Sequence, residues 1–281
     1  MKFSGTELRR FAVVAFVALL VFSLTGGEAL AHEIVLDFPQ QVESGEEVEI
    51  EFFFGHHPDV ADVEHSFFAT LEDNAELMVI NEEGELTELD FNLVEDSYKA
   101  SFTPDGEGLY WVVAIGPRGV VDRSDRDPSG GMQLRYYDAK APLLVGNVDQ
   151  ITAFETPLGV EFIGEIDSLT VGEEISLELD YDGELVSNQE VTIVGPNDRV
   201  EQVTTNDEGV LNFTFPEEGR WFIHVGNVTD LERQGEDYAE ASTEIVEYDR
   251  VRYNSALYLE VEERLGFFQR LFRFFRRIFG W

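Results

Sequence analysis

Cysteine is absent from this chain of 281 residues, and histidine occurs only five times. Without thiols, neither disulfides nor thiolate metal sites can form, so any metal site has to use imidazole, carboxylate, backbone or terminal amine groups. The sequence also has no HExxH motif and no nucleophile elbow, so the catalytic motifs of zinc proteases and serine hydrolases are missing. We therefore predict that the protein is not an enzyme.

Basic residues are scarce as well. The chain has 19 Lys and Arg against 57 Asp and Glu, a formal net charge of −38, and its only lysines are Lys2, Lys99 and Lys140. The strongly negative net charge excludes nucleic acid as a partner. The acidic residues are spread over every part of the chain, which is typical of a halophilic acidic protein. At about 1 M salt the Debye length is only about 3 Å, so their long-range repulsion is muted.

The N-terminus has the layout of a secretory signal peptide. Lys2, Arg9 and Arg10 precede an apolar run over residues 11–24, and Ala29-Leu30-Ala31 offers a small-x-small cleavage site. The run is short for a spanning helix. We expect residues 1–31 to be removed, so that the protein is exported and acts outside the cytoplasm, with His32 as its new N-terminus.

Short alternating segments separated by turn residues fill the rest of the chain up to residue 262. Segments such as "EVEIEFFF", "LYWVVAIG", "ISLELDYDG" and "VRYNSALYLEVE" are strand-like, and "PDGEG", "PNDR" and "NDEG" are typical of turns. This pattern predicts an all-β fold of two tandem Ig-like antiparallel β-sandwich domains, residues 32–150 and 151–262. Residues 116–131, "GPRGVVDRSDRDPSGG", are expected to form a flexible loop.

An internal repeat supports the two-domain prediction. The segment "SGEEVEI" (44–50) matches "VGEEISL" (171–177), and "PDGEGLYWVV" (104–113) matches "FPEEGRWFIH" (215–224). The matched segments are farther apart in the first half than in the second, which leaves room for an extra hairpin in the first domain.

Three of the five histidines lie within "FFFGHHPDVADVEH", residues 52–65. His56 ends an apolar strand that we expect beside the strand starting after His32. His65 is expected to begin the next strand and to fold back toward His56. A mature His32 would offer an imidazole and an α-amine, which together can chelate one cation. Imidazole suits Ni, Co, Cu and Zn, so the cluster predicts a transition-metal site; the fifth histidine, His224, is expected to be structural.

Five segments, in this order, resemble an uncharacterised family of secreted two-domain proteins found with nickel and cobalt ABC-type uptake systems. They are "AHEIVL", "FFFGHHPD", "YYDAKAPLLVG" (136–146), "TPLGVEFI" and "TTNDEGVLNFTFPEEGRWFIHVG". The resemblance covers roughly residues 31–262 and implies handling of a nickel or cobalt ion, with transporter subunits as partners. Where that family continues Gly-His with Pro-Phe-Glu, this chain reads Gly55-His56-His57-Pro58-Asp59, so its acidic ligand is either Asp59 or Glu64.

The segment "RLGFFQRLFRFFRRIFGW" (264–281) differs from the rest of the chain. It places aromatic and aliphatic residues on one half of a helical wheel and four of its five arginines, Arg270, Arg273, Arg276 and Arg277, on the other. Residues 263–281 are therefore predicted to form an amphipathic helix that lies on an anionic membrane surface or docks on a transporter subunit.

These observations favour an exported protein that binds a divalent transition metal, with Ni²⁺ or Co²⁺ favoured and Cu²⁺ as a third possibility, and delivers it to a membrane uptake system. The predicted metal ligands are His32, His56, His57, Glu64 and His65. Two alternatives stay open. One is a structural or adhesive cell-surface protein, and the other is a copper-handling protein that uses the N-terminal histidine.

Overall fold

The computed structural model describes residues 32–56, 60–125, 130–148 and 150–263, and most of its regular structure is β-strand. Within these ranges one α-helix, α1 (Ser66–Asn74), and one 3-10 turn (Pro196–Asp198) interrupt the strands. No helix in the described part of the chain is long and apolar enough to cross a bilayer. The predicted signal peptide (1–31) and residues 264–281 of the predicted C-terminal helix lie outside the described residues.

The strands of the first half precede residue 146. They are β1 (Glu33–Asp37), β2 (Gln41–Val42), β3 (Val48–His56), β4 (Val60–Ala61), β5 (Glu76–Asn81), β6 (Leu86–Glu88), β7 (Asn92–Val94), β8 (Ser97–Phe102), β9 (Gly108–Asp122) and β10 (Met132–Val145).

The strands of the second half follow residue 150. They are β11 (Ile151–Ala153), β12 (Val160–Ile166), β13 (Glu174–Tyr181), β14 (Glu184–Leu185), β15 (Glu190–Gly195), β16 (Arg199–Thr204), β17 (Val210–Thr214), β18 (Gly219–Asp230), β19 (Gly235–Tyr238), β20 (Ile245–Tyr248) and β21 (Arg250–Val261).

A central sheet runs through both halves in the order β16-β15-β18-β21-β10-β9-β5-β6, with β2 also paired to β10. Each half adds an outer sheet: β1-β3-β8-β7 with β4 in the first, and β11-β12-β13-β14 with β17 in the second. The predicted all-β fold of two tandem Ig-like sandwiches is confirmed. The two halves share the central sheet through the parallel pair β10–β21. Division into domains at residues 150 and 151 stays a prediction.

The two outer sheets cover opposite faces of the central sheet. On β18, Trp221 packs against Phe213 and Phe215 of the second half, with ring centroids 5.5 and 5.3 Å apart. The next residue, Phe222, points the other way, because successive side chains of a strand alternate between faces. There it meets Tyr258, whose buried hydroxyl donates to the Ile34 carbonyl of β1 at 2.9 Å.

The sequence repeat corresponds to a repeat of backbone structure. The Gly45 N–H donates to the Pro104 carbonyl at 3.0 Å, and the Gly172 N–H donates to the Phe215 carbonyl at 2.9 Å. Both glycines have positive φ, +80° and +84°, a conformation that few other residues adopt. The residues of β3 and β8 that lie opposite each other are equivalent, in the repeat, to the residues of β13 and β17 that lie opposite each other. The match between the two halves is therefore structural.

The predicted loop over residues 116–131 was wrong for its first part, because β9 continues to Asp122 and pairs with β10. The ladder crosses a register shift between Arg135 and Tyr136 and then resumes. Gly116, the first residue of this stretch, is required by packing. A Cβ on Gly116 would lie 2.4 Å from the Ile34 side chain.

Tyr258→Phe tests how the first outer sheet is fixed across the central sheet. Removing the hydroxyl leaves the buried Ile34 carbonyl without its donor, so we expect a loss of about 1–3 kcal/mol in the free energy of unfolding. Urea denaturation in high salt measures it. Tyr238→Phe is the matched control, because Tyr238 is 56% exposed. Equal stability of the two variants would contradict this role for Tyr258.

Candidate metal centre

His32 and His56 face each other across two neighbouring strands. β1 and β3 pair antiparallel with Glu33 opposite Gly55, which places the residue before Glu33 opposite the residue after Gly55. The two imidazole centroids are 4.0 Å apart, and the rings are inclined by 53°. Both rings are only partly buried. The prediction that the strand ending in His56 lies beside the strand following His32 is confirmed.

Gly55 lets β4 pack closely against the end of β3. The short strand β4 returns against the end of β3, with Gly55 opposite Ala61 and His56 opposite Val60. A Cβ on Gly55 would lie 2.0 Å from the Val60 carbonyl oxygen, a distance that no side chain tolerates. Glycine before the histidine is therefore a packing requirement, and it brings the residues after β4 beside the imidazoles.

Asp62 is the acidic residue that reaches the histidines. Its Oδ2 lies 2.7 Å from His32 Nε2, and its own N–H donates to the Phe54 carbonyl at 2.9 Å. The hydrogen bond with His32 is the main reason that the pKa of Asp62 is lowered, so this carboxylate stays ionised. The sequence pattern indicated Asp59 or Glu64 and did not indicate Asp62. The short return strand that positions Asp62 has too few residues to show a pattern in the sequence.

His65 joins the cluster as the cap of a helix. Its ring centroid lies 5.7 Å from that of His32, and its Nδ1 accepts the Phe67 N–H at 3.1 Å at the start of α1. The prediction that His65 begins a strand was wrong. Phe67, Phe68 and Leu71 form one buried face at helical spacing, which stabilises a helix at this point.

The cap restricts which atoms of His65 can bind a metal. Because Nδ1 accepts a hydrogen bond, the proton of the neutral ring is on Nε2. Burial lowers the pKa of His65, and the Arg118 guanidinium lowers it further, whereas Glu240 raises it. Arg118 and Glu240 are themselves an ion pair, and the Glu240 carboxylate also accepts from Ser66 Oγ at 2.8 Å. Ligation through Nδ1 of His65 would require the cap to open.

A buried floor supports the cluster. The Phe54 ring is fully buried, and its centroid lies 5.4 Å from that of His32 and 4.9 Å from that of His65. Next to His32 in sequence, the Glu33 side chain is buried, with Oε1 2.7 Å from His224 Nε2. His224 thus lies in the interior between β1 and β18. Both contacts fix the start of β1, from which His32 projects.

The structure brings three of the five predicted ligands together, His32, His56 and His65, and adds Asp62. Glu64 is exposed, and His57 lies outside the described residues, as does Asp59. As they stand, the described His, Asp and Glu side chains include no group of three or more arranged to hold a metal ion. The arrangement therefore offers a histidine pair oriented by a carboxylate.

Comparisons with known proteins give a family and distant structural likenesses. A family model described as a domain of unknown function (DUF4198) matches residues 29–229. No curated protein matches the chain.

Among solved structures, the chain is similar to fibronectin(III)-like modules of Clostridium thermocellum CbhA, with 14% identity over 82% of this chain and 94% of that chain and a TM-score of 0.22. A two-domain fibronectin type III segment from chicken tenascin matches with 10% identity over 78% and 100%, at a TM-score of 0.23. A DUF4785 family protein from Legionella pneumophila matches with 7% identity over 76% and 55%, at a TM-score of 0.27.

Gly55→Ala is expected to displace β4 and so to disturb the histidine cluster. The new methyl group would collide with the Val60 backbone, so β4 has to move, and overpacking of this kind costs about 1–3 kcal/mol. Thermal unfolding measures the loss. Gly106→Ala is the control, because its Cβ would meet only the Tyr110 hydroxyl at 3.7 Å. A Gly55→Ala protein as stable as the control would refute the packing requirement.

His65→Ala and His65→Asp separate the capping role of His65 from any other. Alanine removes the acceptor for the Phe67 N–H and is expected to cost about 0.5–2 kcal/mol, whereas aspartate restores a strong helix cap. Urea denaturation of both variants compares the free energies of unfolding. If His65→Asp lost as much stability as His65→Ala, capping would not be what His65 provides.

Proposed function

The chain belongs to the DUF4198 family, a domain of unknown function, and we propose that it binds a divalent transition metal ion outside the cytoplasm and passes it to a membrane uptake system. The observation that carries this proposal is the His32–His56 pair, with centroids 4.0 Å apart at the rim of the first sandwich. In a chain with five histidines and no cysteine, the imidazoles are concentrated where two strands end together.

Removal of residues 1–31 completes the ligand set in this proposal. The α-amine of His32 and its Nδ1 then chelate one ion in a six-membered ring, and the imidazole of His56 adds a further nitrogen. Asp62 stays on Nε2 of His32 and orients the ring, as carboxylates commonly do behind metal-bound histidines. Three nitrogen donors suit Ni²⁺, Co²⁺ and Cu²⁺. The sequence resemblance favours Ni²⁺ or Co²⁺.

Delivery requires exchangeable ligation near a transporter, and no catalysis. The histidine pair is partly exposed, so an ion can enter and leave. Val60 and Val63, on either side of Asp62, are 61% and 50% exposed and form an apolar rim beside the site. A transporter subunit that covers this rim would receive the ion directly. In this proposal residues 263–281 hold the protein at the membrane surface.

The test is a competition titration of Ni²⁺, Co²⁺, Cu²⁺ and Zn²⁺ on protein that begins at His32, in high salt. We expect one ion per chain, with affinity lower by more than about 100-fold in His32→Ala and in His56→Ala. Asp62→Asn keeps the ligands but loosens the ring, and we expect a loss of about 10- to 100-fold. His65→Asp keeps the helix cap and is expected to bind as the parent does.

Each outcome of the titration separates one function from another. Equal weak binding by the parent and the alanine variants would refute the metal proposal and leave a structural surface protein. Tight binding of Cu²⁺ alone would replace uptake of Ni²⁺ or Co²⁺ by copper handling. A large loss in His65→Asp would mean that the helix cap opens and that His65 is a ligand.

A further inference from the structure

A lysine and a glutamate contact each other in the core between the central sheet and the second outer sheet. Lys140 lies on β10 and Glu161 on β12, and their side chains are 1% and 3% exposed. Lys140 Nζ donates to Glu161 Oε2. The Trp111 ring centroid lies 5.1 Å from Nζ. Burying two opposite charges in an apolar core costs several kcal/mol per ion, so this pair needs an explanation.

Thr156 contacts both oxygens of the glutamate. Its backbone N–H donates to Oε1 at 2.6 Å, and its hydroxyl donates to Oε2 at 2.9 Å. Each carboxyl oxygen thus has one donor from Thr156, and the N–H on Oε1 can stabilise negative charge that develops on that oxygen. The amine is thus in contact with a carboxyl group whose oxygens are already polarised.

The surroundings favour the neutral form of the amine. Burial lowers the pKa of Lys140, although Glu161 and Asp180 raise it in part. Asp138, two residues earlier on the same face of β10, is buried as well, and burial raises its pKa to about 8. A buried amine is a nucleophile only when it is unprotonated, and proton transfer within the pair yields both a neutral amine and a neutral carboxylic acid.

We propose that Lys140 and Glu161 condense to an intramolecular isopeptide bond. Nζ attacks Cδ of the protonated carboxyl group, the developing negative charge on Oε1 is held by the Thr156 N–H, and the C–Oε2 bond breaks. Oε2 leaves as water with one proton from the amine and its own. The reaction is a condensation and needs no oxidant, cofactor or second protein.

The product would satisfy each of its polar groups. The new amide carbonyl keeps the Thr156 N–H as donor, and the new amide N–H faces the Phe154 carbonyl, which lies 3.4 Å from Nζ. The bond would join β10 of the first half to β12 of the second across the sandwich. It would supply a covalent link between the halves that a chain without cysteine cannot obtain from a disulfide.

The amino-acid usage of the chain points the same way. Arginine provides 16 of the 19 basic residues, and only Lys99 and Lys140 are lysines beyond residue 31. Lys99 lies at the surface between Glu49 and Glu51, where a charge suffices. At position 140 a guanidinium could form an ion pair too, but it could not be acylated as an amine can.

Intact-mass measurement of the denatured, purified full-length chain, in whichever N-terminal form it is isolated, tests the proposal. We expect a mass below the sequence value by one water, about 18 Da. Digestion followed by fragmentation should yield one branched peptide that joins Lys140 to Glu161. The full sequence mass, or a water loss located elsewhere in the chain, would overturn the proposal.

Two variants make the assignment specific. Lys140→Arg retains the charge and is expected to show the full mass of its own sequence, whereas Lys99→Arg, the matched control, should still lack one water. Loss of water in Lys140→Arg would overturn the proposal. The parent chain decides the question even if Lys140→Arg fails to fold, because its mass is measured after denaturation.

Discussion

The parallel pairing of β10 with β21 is the contact on which the rest of the structure depends. It runs from Gln133 opposite Arg250 to Lys140 opposite Leu257 and makes one central sheet out of strands from both halves. Strands that are far apart in sequence pair only after a long loop has closed, so this contact has a high entropic cost. Once it forms, each half presents one face of the shared sheet to its own outer sheet.

Because the outer sheets lie on opposite faces, each half reaches over the other. Tyr258, from the end of the chain, donates to Ile34 near its beginning, and Trp111 of the first half donates its indole N–H to the Thr152 carbonyl of the second at 3.0 Å. The position of the histidine cluster also depends on contacts between the two halves. Glu33 fixes the start of β1 by contact with His224 of β18, so the position of His32 depends on residues from both halves.

Several ionisable side chains are buried in the interior, away from the acidic surface. Glu33, Asp138, Lys140 and Glu161 are all buried in sheets that bury mostly aliphatic and aromatic side chains. Each lies next to an opposite charge, a backbone donor or an aromatic ring, as buried ionisable groups have to. The high charge of the chain is therefore a property of its surface, whereas two buried contacts, Glu33 with His224 and Lys140 with Glu161, lie where function and covalent chemistry are proposed.

Alternation of apolar residues, turn signals and the repeated Gly-Glu segments were enough to predict the all-β class and the two related halves, because these features reflect local strand and turn geometry. The pairing of His32 with His56 followed from the same patterns. Only the tertiary structure decided that both halves share a sheet, that Asp62 is the carboxylate beside His32, and that His65 caps a helix. The first two depend on contacts between residues distant in sequence and on a two-residue strand, neither of which leaves a periodic signal in the chain. The cap contact of His65 is local, but the helix that follows has only nine residues, and an apolar run that short does not distinguish a helix from a strand.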